Sequence, residues 1–277
     1  MPIISAETIK PDASTTLEHT GSVTSSFGRM LKQWRQHRGH SQLELSLRAD
    51  VSQKHISFIE TGRSRPKVET VRKVAEALEI PLREQNKLYE MAGLPARFPD
   101  VHYDAAALTP YRDAIFRMLK QQDPFPAYVV DRWWNLIEAN EAGKMLFMAP
   151  GLDTPNMVDA FMAPGAFRDM VENFDEVAWA FMKRLRAEAM QAPGDEQMQA
   201  LLSRAQAYLQ NVPEPKTTDR HELALCPRIK MGDAVINMIT MVAHFSEPNA
   251  AILDELRLEL VFPADAEAAA FFTAMQV

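Results

Sequence analysis

Residues 51–66 read VSQKHISFIETGRSRP, and the side-chain types in that stretch suit contact with the edges of base pairs. Wound at 100° per residue, a helix from Gln53 to Thr61 turns Ile56, Ile59 and Glu60 to one side. Gln53, Lys54, Ser57, Phe58 and Thr61 fall on the other. A helix entering a major groove needs hydrogen-bonding side chains and few carboxylates on its exposed face, and this face carries an amide, an ammonium and hydroxyls. Gln53 can bond adenine bidentately or hold a phosphate, and Lys54 and Ser57 can reach base edges or backbone. Phe58 can offer its ring to a thymine methyl; the alternative is packing against the second helix of its own domain or a second copy. Ser52 can cap the helix and belongs with the DNA-contacting set. His55, at the boundary of the two faces, is a packing or phosphate residue. Arg63 and Arg65 follow where phosphate contacts fall, and Gln42 is placed to fix a phosphate at the start of the preceding helix.

Such a segment must be held by neighbouring elements, and the surrounding sequence supplies them. A first helix is expected from about Phe27 to Arg38, with Phe27, Met30, Leu31 and Trp34 on one face and a stop at Gly39. Ser41 followed by Glu44 reads as a capping box opening a second helix, to which Leu43, Leu45 and Leu47 give apolar content. Asp50-Val51-Ser52 makes a tight connection to the third. A fourth follows Pro66 with Val68, Val71, Val74, Ala75 and Leu78 at helical spacing, and Pro81 opens a fifth, ended by Gly93-Leu94-Pro95. Five short helices with a brief turn between the second and third form a helix-turn-helix arrangement. The expected organisation is a disordered Ser/Thr-rich lead-in over 1–23, an all-α domain over 24–93, a Pro-rich linker over 94–109 and a second domain over 110–277.

The second domain reads as α+β. A helix from Thr109 to about Gln121 precedes two strands, AYVVD (127–131) and WNLIEA (134–139), and Asn140 can cap a helix through Phe147. Phe167, Met170, Phe174, Val177, Phe181 and Leu185 form one stripe of a long helix from about Phe167 to Met190. Another helix is expected over about 195–210. AVINMITMVAHF (234–245) suggests a strand covered on both sides, whereas LRLELVF (256–262) alternates, with Arg257 and Glu259 expected outward. Of the 16 methionines, 13 lie after residue 100, and methionine fills irregular apolar space. A pocket between sheet and helices could be lined by Tyr128, Phe161, Phe174, Met182, Met238 and Met241, with Asn140 or His244 as polar anchors. The plainer alternative is a Met-rich core.

Charge is distributed unevenly. The chain carries −7 in total, yet residues 24–99 carry a net +6 and residues 100–277 a net −11, so the first segment is the one suited to a polyanion. A single cysteine, Cys226, rules out an intrachain disulfide framework or a cysteine-rich zinc site. No G-x-G, Walker-type GK[ST], HExxH, HxH or G-x-S-x-G pattern occurs, so neither catalytic residues nor a metal is expected, and no enzyme. No apolar run approaches membrane-spanning length, which gives a cytoplasmic location as the expectation.

The stretch FGRMLKQWRQHRGHSQLELSLRADVSQKHISFIETGRSRPKVETVRKVAEAL resembles the Cro/C1-type helix-turn-helix of the XRE regulators, through Leu31, Arg35, Gly39-x-Ser41-Gln42, Val51-Ser52, Ile56-Ser57, Glu60 and Gly62-Arg63. The resemblance implies a structural ion pair between Arg35 and Glu60, and base contacts from Gln53, Lys54, Ser57 and Phe58. PAYVVDRWWNLIEANEAGKMLF (126–147) and DELRLELVFPAD (254–265) are similar to the MmyB-like domain found behind such modules. That domain is PAS-like, and the resemblance implies a small apolar ligand such as a fatty acid or acyl group. Many members show His-Pro before the late strands, where this chain has Cys226-Pro227. The expected function is a one-component, homodimeric transcription regulator binding a double-stranded operator. The alternative is a ligand-independent DNA-binding adaptor whose second domain serves only dimerisation or protein contact.

Overall fold

A computed structural model describes residues 15–147, 155–215, 226–232 and 234–274. The chain divides into two compact units after Phe98.

The first unit is the five-helix domain expected: α1 (Thr15–His37), α2 (Gln42–Ala49), α3 (Gln53–Glu60), α4 (Val68–Ala77) and α5 (Leu82–Met91). Phe27, Leu31 and Trp34 of α1 meet Leu45, Ile56, Ile59, Val71, Val74, Leu88 and Tyr89 in one buried core. Helix α1 starts at Thr15, well before Phe27, so residues 15–23 of the expected disordered lead-in are helical; residues 1–14 lie outside the described residues. Once packing at Phe27–Trp34 has met the cost of nucleation, each added residue gains a hydrogen bond, and the helix propagates backwards. Ser41 and Glu44 form the capping box, with both reciprocal hydrogen bonds present. Only Leu45 of the three α2 leucines is buried, because residues two apart cannot share a helix face; Leu43 and Leu47 are exposed.

The expected linker is divided between the units rather than strung between them. The buried Asn86 side chain accepts from the backbone N–H of Arg97 and Phe98 and donates to the Phe98 carbonyl, fixing those residues to the first unit. Past the boundary, Val101, Tyr103 and Leu108 pack into the second unit's own apolar cluster.

That second unit is built on an antiparallel five-stranded sheet of order β2-β1-β5-β4-β3, with β1 Ala127–Val130, β2 Leu136–Ala139, β3 Arg228–Met231, β4 Ala234–Ala243 and β5 Arg257–Pro263. Helices α6 (Thr109–Gln121) and α12 (Ala251–Glu255) cover one face through Ile115, Leu119, Leu253, Ala127, Val129 and Leu258. The other face is covered by α8 (Met157–Met162), α9 (Ala166–Met170), α10 (Phe174–Gln191), α11 (Glu196–Tyr208) and α13 (Ala266–Ala274), while α7 (Glu141–Phe147) follows β2. This is the α+β, PAS-like architecture expected.

Three expectations for the second unit are corrected. The long helix from Phe167 breaks into α9 and α10, because Val171 bridges to Ile229 and the Glu172 N–H donates to the Arg228 carbonyl. Asn173 secures the break, donating to the Cys226 carbonyl and accepting from the Arg228 N–H. Strand β4 is not covered throughout, since Thr240, Met241 and Val242 are exposed. Most consequentially, Arg257 and Glu259 do not face solvent. Strand β5 is central and covered on both faces, so its charged side points into the protein, where Arg257 is 7% and Glu259 1% exposed.

Candidate functional site

In the first unit, Ser52 caps α3 by accepting from the His55 N–H, and Gly62, at φ 74°, ends it. Arg35 then locks the helix to α1. Its Nε and Nη2 donate to the two Glu60 carboxylate oxygens at 2.6 and 2.9 Å, and its Nη1 donates to the His40 carbonyl at 2.7 Å. Hydrogen bonding to Glu60 holds the guanidinium pKa above its ordinary value. Gln42 also has a structural part: its amide nitrogen donates to Glu60 Oε2 at 2.9 Å, adding to the internal ion pair.

With Glu60 turned inward, the outer face of α3 has no carboxylate. Gln53 and Lys54 are exposed, Ser57, His55 and Phe58 half-buried, and Arg63 and Arg65 exposed beyond the helix. Among the described residues, Phe58 belongs neither to the buried core nor to the apolar side chains packed on it. Its ring carries the Lys54 ammonium 5.6 Å from the centroid, a cation–π pair that sets two groups of this face together. Sequence reasoning missed Gly28, which lies in α1 where it crosses α3. A Cβ there would stand 2.4 Å from the Ile59 carbonyl oxygen and 2.8 Å from that of Glu60. The available signal was a glycine inside a helical pattern, which costs about 1 kcal/mol against alanine and needs a reason.

The second unit has a partly open cavity of about 250 Å³ between the sheet and α10. Tyr128, Phe161, Phe174 and Met238 line it as expected, among Met162, Phe181, Ile229 and Val261. The other four residues do not. Met182 is buried in the core. Asn140 caps α7, accepting from Gly143 and from the Ala127 backbone and donating to the Phe125 carbonyl. Met241 is 58% exposed and three positions from Met238, so strand alternation sends it to the opposite sheet face. His244 lies past the end of β4, beside a separate hollow with Ala114 and Met118.

Two charged residues line the cavity, and sequence reasoning missed both. Arg184 Nη2 donates to Glu259 Oε1 at 2.7 Å, and its Nε donates to Glu188 Oε1 at 3.1 Å. The Arg184 and Arg257 guanidinium groups both lie over the Trp134 ring, 4.5 and 4.4 Å from its centroid, and Trp134 Nε1 donates to Glu188 at 2.8 Å. Arg257 also pairs with Glu188. The Trp134 backbone sits at φ 65°, an outlier for a bulky residue, in a turn organised by the Asp131 carboxylate, which accepts from the Trp133 and Asn135 N–H groups. Burial, then the Glu259 charge, pushes the Tyr128 phenol well above its ordinary pKa, so it stays protonated. Pro227, which follows Cys226, also lines the cavity.

A basic helix-turn-helix ahead of a sheet-and-helix domain with an apolar cavity defines a DNA-binding regulator that carries a ligand-binding domain. Residues 111–275 match the MmyB-like transcription regulator ligand binding domain, and residues 31–85 match the helix-turn-helix family. The chain belongs to the MmyB-like transcription regulators. Curated proteins offer no match. Both families are regulatory rather than enzymatic. Among the described residues, no helix is long and apolar enough to cross a membrane, and no group of three His, Cys, Asp or Glu could hold a metal ion.

Proposed function

We propose that the protein is a cytoplasmic one-component regulator whose operator affinity responds to a small apolar effector of the acyl class. Gln53, Lys54, Ser57 and Phe58 read base edges from α3, while Ser52, His55, Arg63 and Arg65 hold the backbone. Two copies place their α3 helices about 34–36 Å apart on a near-palindromic site. The observation that carries the reading is the cavity: an apolar space of about 250 Å³ in the chain that also bears the DNA-binding module. A ligand-independent adaptor needs no such space.

The test is selection of bound duplexes by the full-length protein, followed by titration of the enriched sequence with and without acyl compounds. Enrichment of a near-palindrome, with affinity shifted by an acyl compound, is the expected result. An enriched site whose affinity no acyl compound changes, from protein whose solvent extract holds no lipid, would favour the adaptor.

A further inference from the structure

The charges beside the cavity do not end at its wall. Arg184, with its side chain 33% exposed, is the cation a guest meets there, and it shares Glu188 with Arg257. Arg257 donates in turn from Nη2 to the backbone carbonyls of Asp131 and Arg132, at 2.9 and 3.2 Å. These residues open the tight turn that ends at Trp134, which lines the cavity and donates its own N–H to the Asp131 carbonyl. From the same turn Arg132 Nη1 donates to Glu255 Oε1 at 3.0 Å, with both side chains nearly sealed from solvent. Glu255 is the last residue of α12. At the first, the Ala251 N–H donates to the Pro99 carbonyl at 3.4 Å, and Leu253 belongs to the apolar cluster on which Val101 and Tyr103 pack. Pro99 begins the second unit, directly after Phe98, the last residue of the first. One series of hydrogen-bonded charges therefore runs from the cavity wall to the place where the chain enters this unit.

Unspent energy is concentrated along this series. Trp134 holds φ at 65°, a left-handed value that is strained for a bulky residue. Among the described residues, the buried side-chain nitrogen and oxygen atoms with no hydrogen-bond partner are Arg257 Nε and Tyr103 Oη, one in the series and one in the segment it reaches. Glu255 sets a negative charge at the C-terminal end of a helix, where the helix dipole opposes it, so α12 depends on Arg132. Buried ion pairs contribute little net stability compared with apolar packing, and losing one partner is costly, so the series suits a switch better than a brace. We infer that it couples the cavity to the entry segment: a guest that draws Arg184 from Glu188 loosens α12 and its hold on residues 99–108. This inference rests on the cavity being the effector site. With Arg184 engaged by the guest, Glu188 is left to Arg257, which moves toward it and off the Asp131 and Arg132 carbonyls. The turn then carries Arg132 away from Glu255, and α12 loses the cation at its end.

The test is amide hydrogen exchange of the full-length protein with and without octanoate at neutral pH, with occupancy taken from the concentration dependence of the thermal shift. Binding by itself stabilises the folded state and slows exchange, so acceleration is the diagnostic sign. The amides of 251–256 and 99–108 should exchange at least about threefold faster in the octanoate complex, while those of β1 and β5 slow or hold. In Glu255→Gln the same amides should already be fast, and octanoate should bind with Kd within about threefold of the wild-type value and accelerate them no further. Octanoate that binds the wild-type protein yet slows these amides, or leaves them unchanged, overturns the inference and leaves the effector site standing. Full acceleration by octanoate in Glu255→Gln also overturns it, because the signal then bypasses the Arg132–Glu255 pair. A wild-type protein that shows neither a thermal shift nor any change in exchange with octanoate overturns both. The wild-type comparison decides the matter even if Glu255→Gln fails to fold.

Discussion

At the residue scale, the proposed function assigns base reading to Gln53 and Lys54 of α3 and backbone contact to Arg63. Gln53→Ala or Lys54→Ala should relax preference at one operator position by ~1–3 kcal/mol, seen as a flattened column in the selected sequences. Arg63→Ala should weaken all duplexes alike and reduce the salt slope of binding by about one. The division fails if Arg63→Ala reshapes the preferred sequence while Gln53→Ala leaves it intact. Phe58 lies outside the core, so Phe58→Ala should lose affinity selectively at sites with thymine beneath it. Equal loss on every duplex, measured by anisotropy, would point to a packing role in a dimer instead. Arg35→Ala leaves the buried Glu60 carboxylate without its bidentate partner, and urea melts should show a loss of ~3–5 kcal/mol in the first unit. The α3 face was legible because helical periodicity sorted its residues without knowledge of the tertiary fold. The cavity was half legible for the complementary reason. Tyr128, Phe161, Phe174 and Met238 are large apolar groups that any interior would gather, but placing Met238 and Met241 together ignored the twofold period of the strand that carries both.

Elements decide what residues can do, and two junctions matter most. The crossing of α1 with α3 depends on Gly28, where a methyl group would collide with the carbonyls of Ile59 and Glu60. Gly28→Ala should therefore push α3 outward, costing ~1–3 kcal/mol of stability and lowering affinity for specific and non-specific duplexes together. A variant with unchanged melting temperature and unchanged DNA affinity would show that the crossing tolerates the methyl. The second junction is β5. Its alternation was visible, but its environment was not: a single sequence does not state strand order, and only a central, doubly covered position turns Arg257 and Glu259 inward. The break between α9 and α10 escaped for a similar reason. Met170 and Phe174 keep helical spacing across 171–173, and the hydrogen bonds that stop the helix come from β3, more than fifty residues later.

For the whole molecule, the separation of charge follows the separation of cores. The basic unit encloses its own apolar cluster, and Asn86 seals its end at Phe98, so residues 15–98 should fold alone and bind duplex DNA. Electrophoretic shifts should show that binding fading as salt rises from about 50 to 200 mM, with residues 99–277 showing none under the same conditions. Retention of DNA by the acidic fragment, or its loss from the basic one, would contradict the assignment of functions to units. Composition had already located this boundary in broad terms, because sign asymmetry requires no knowledge of packing. What composition missed was the seam itself: the proline-rich stretch is partitioned by specific contacts, its first part held by one core and its later part by the other.

Trp134, with two guanidinium groups over its ring and bordering the cavity, makes the ligand-binding domain an optical instrument in its own right. Indole emission responds to nearby charge, so a guest that shifts Arg184 should change the colour of that fluorescence without any added dye. Replacing the chain's other three tryptophans with phenylalanine would isolate the signal and allow occupancy to be followed in real time.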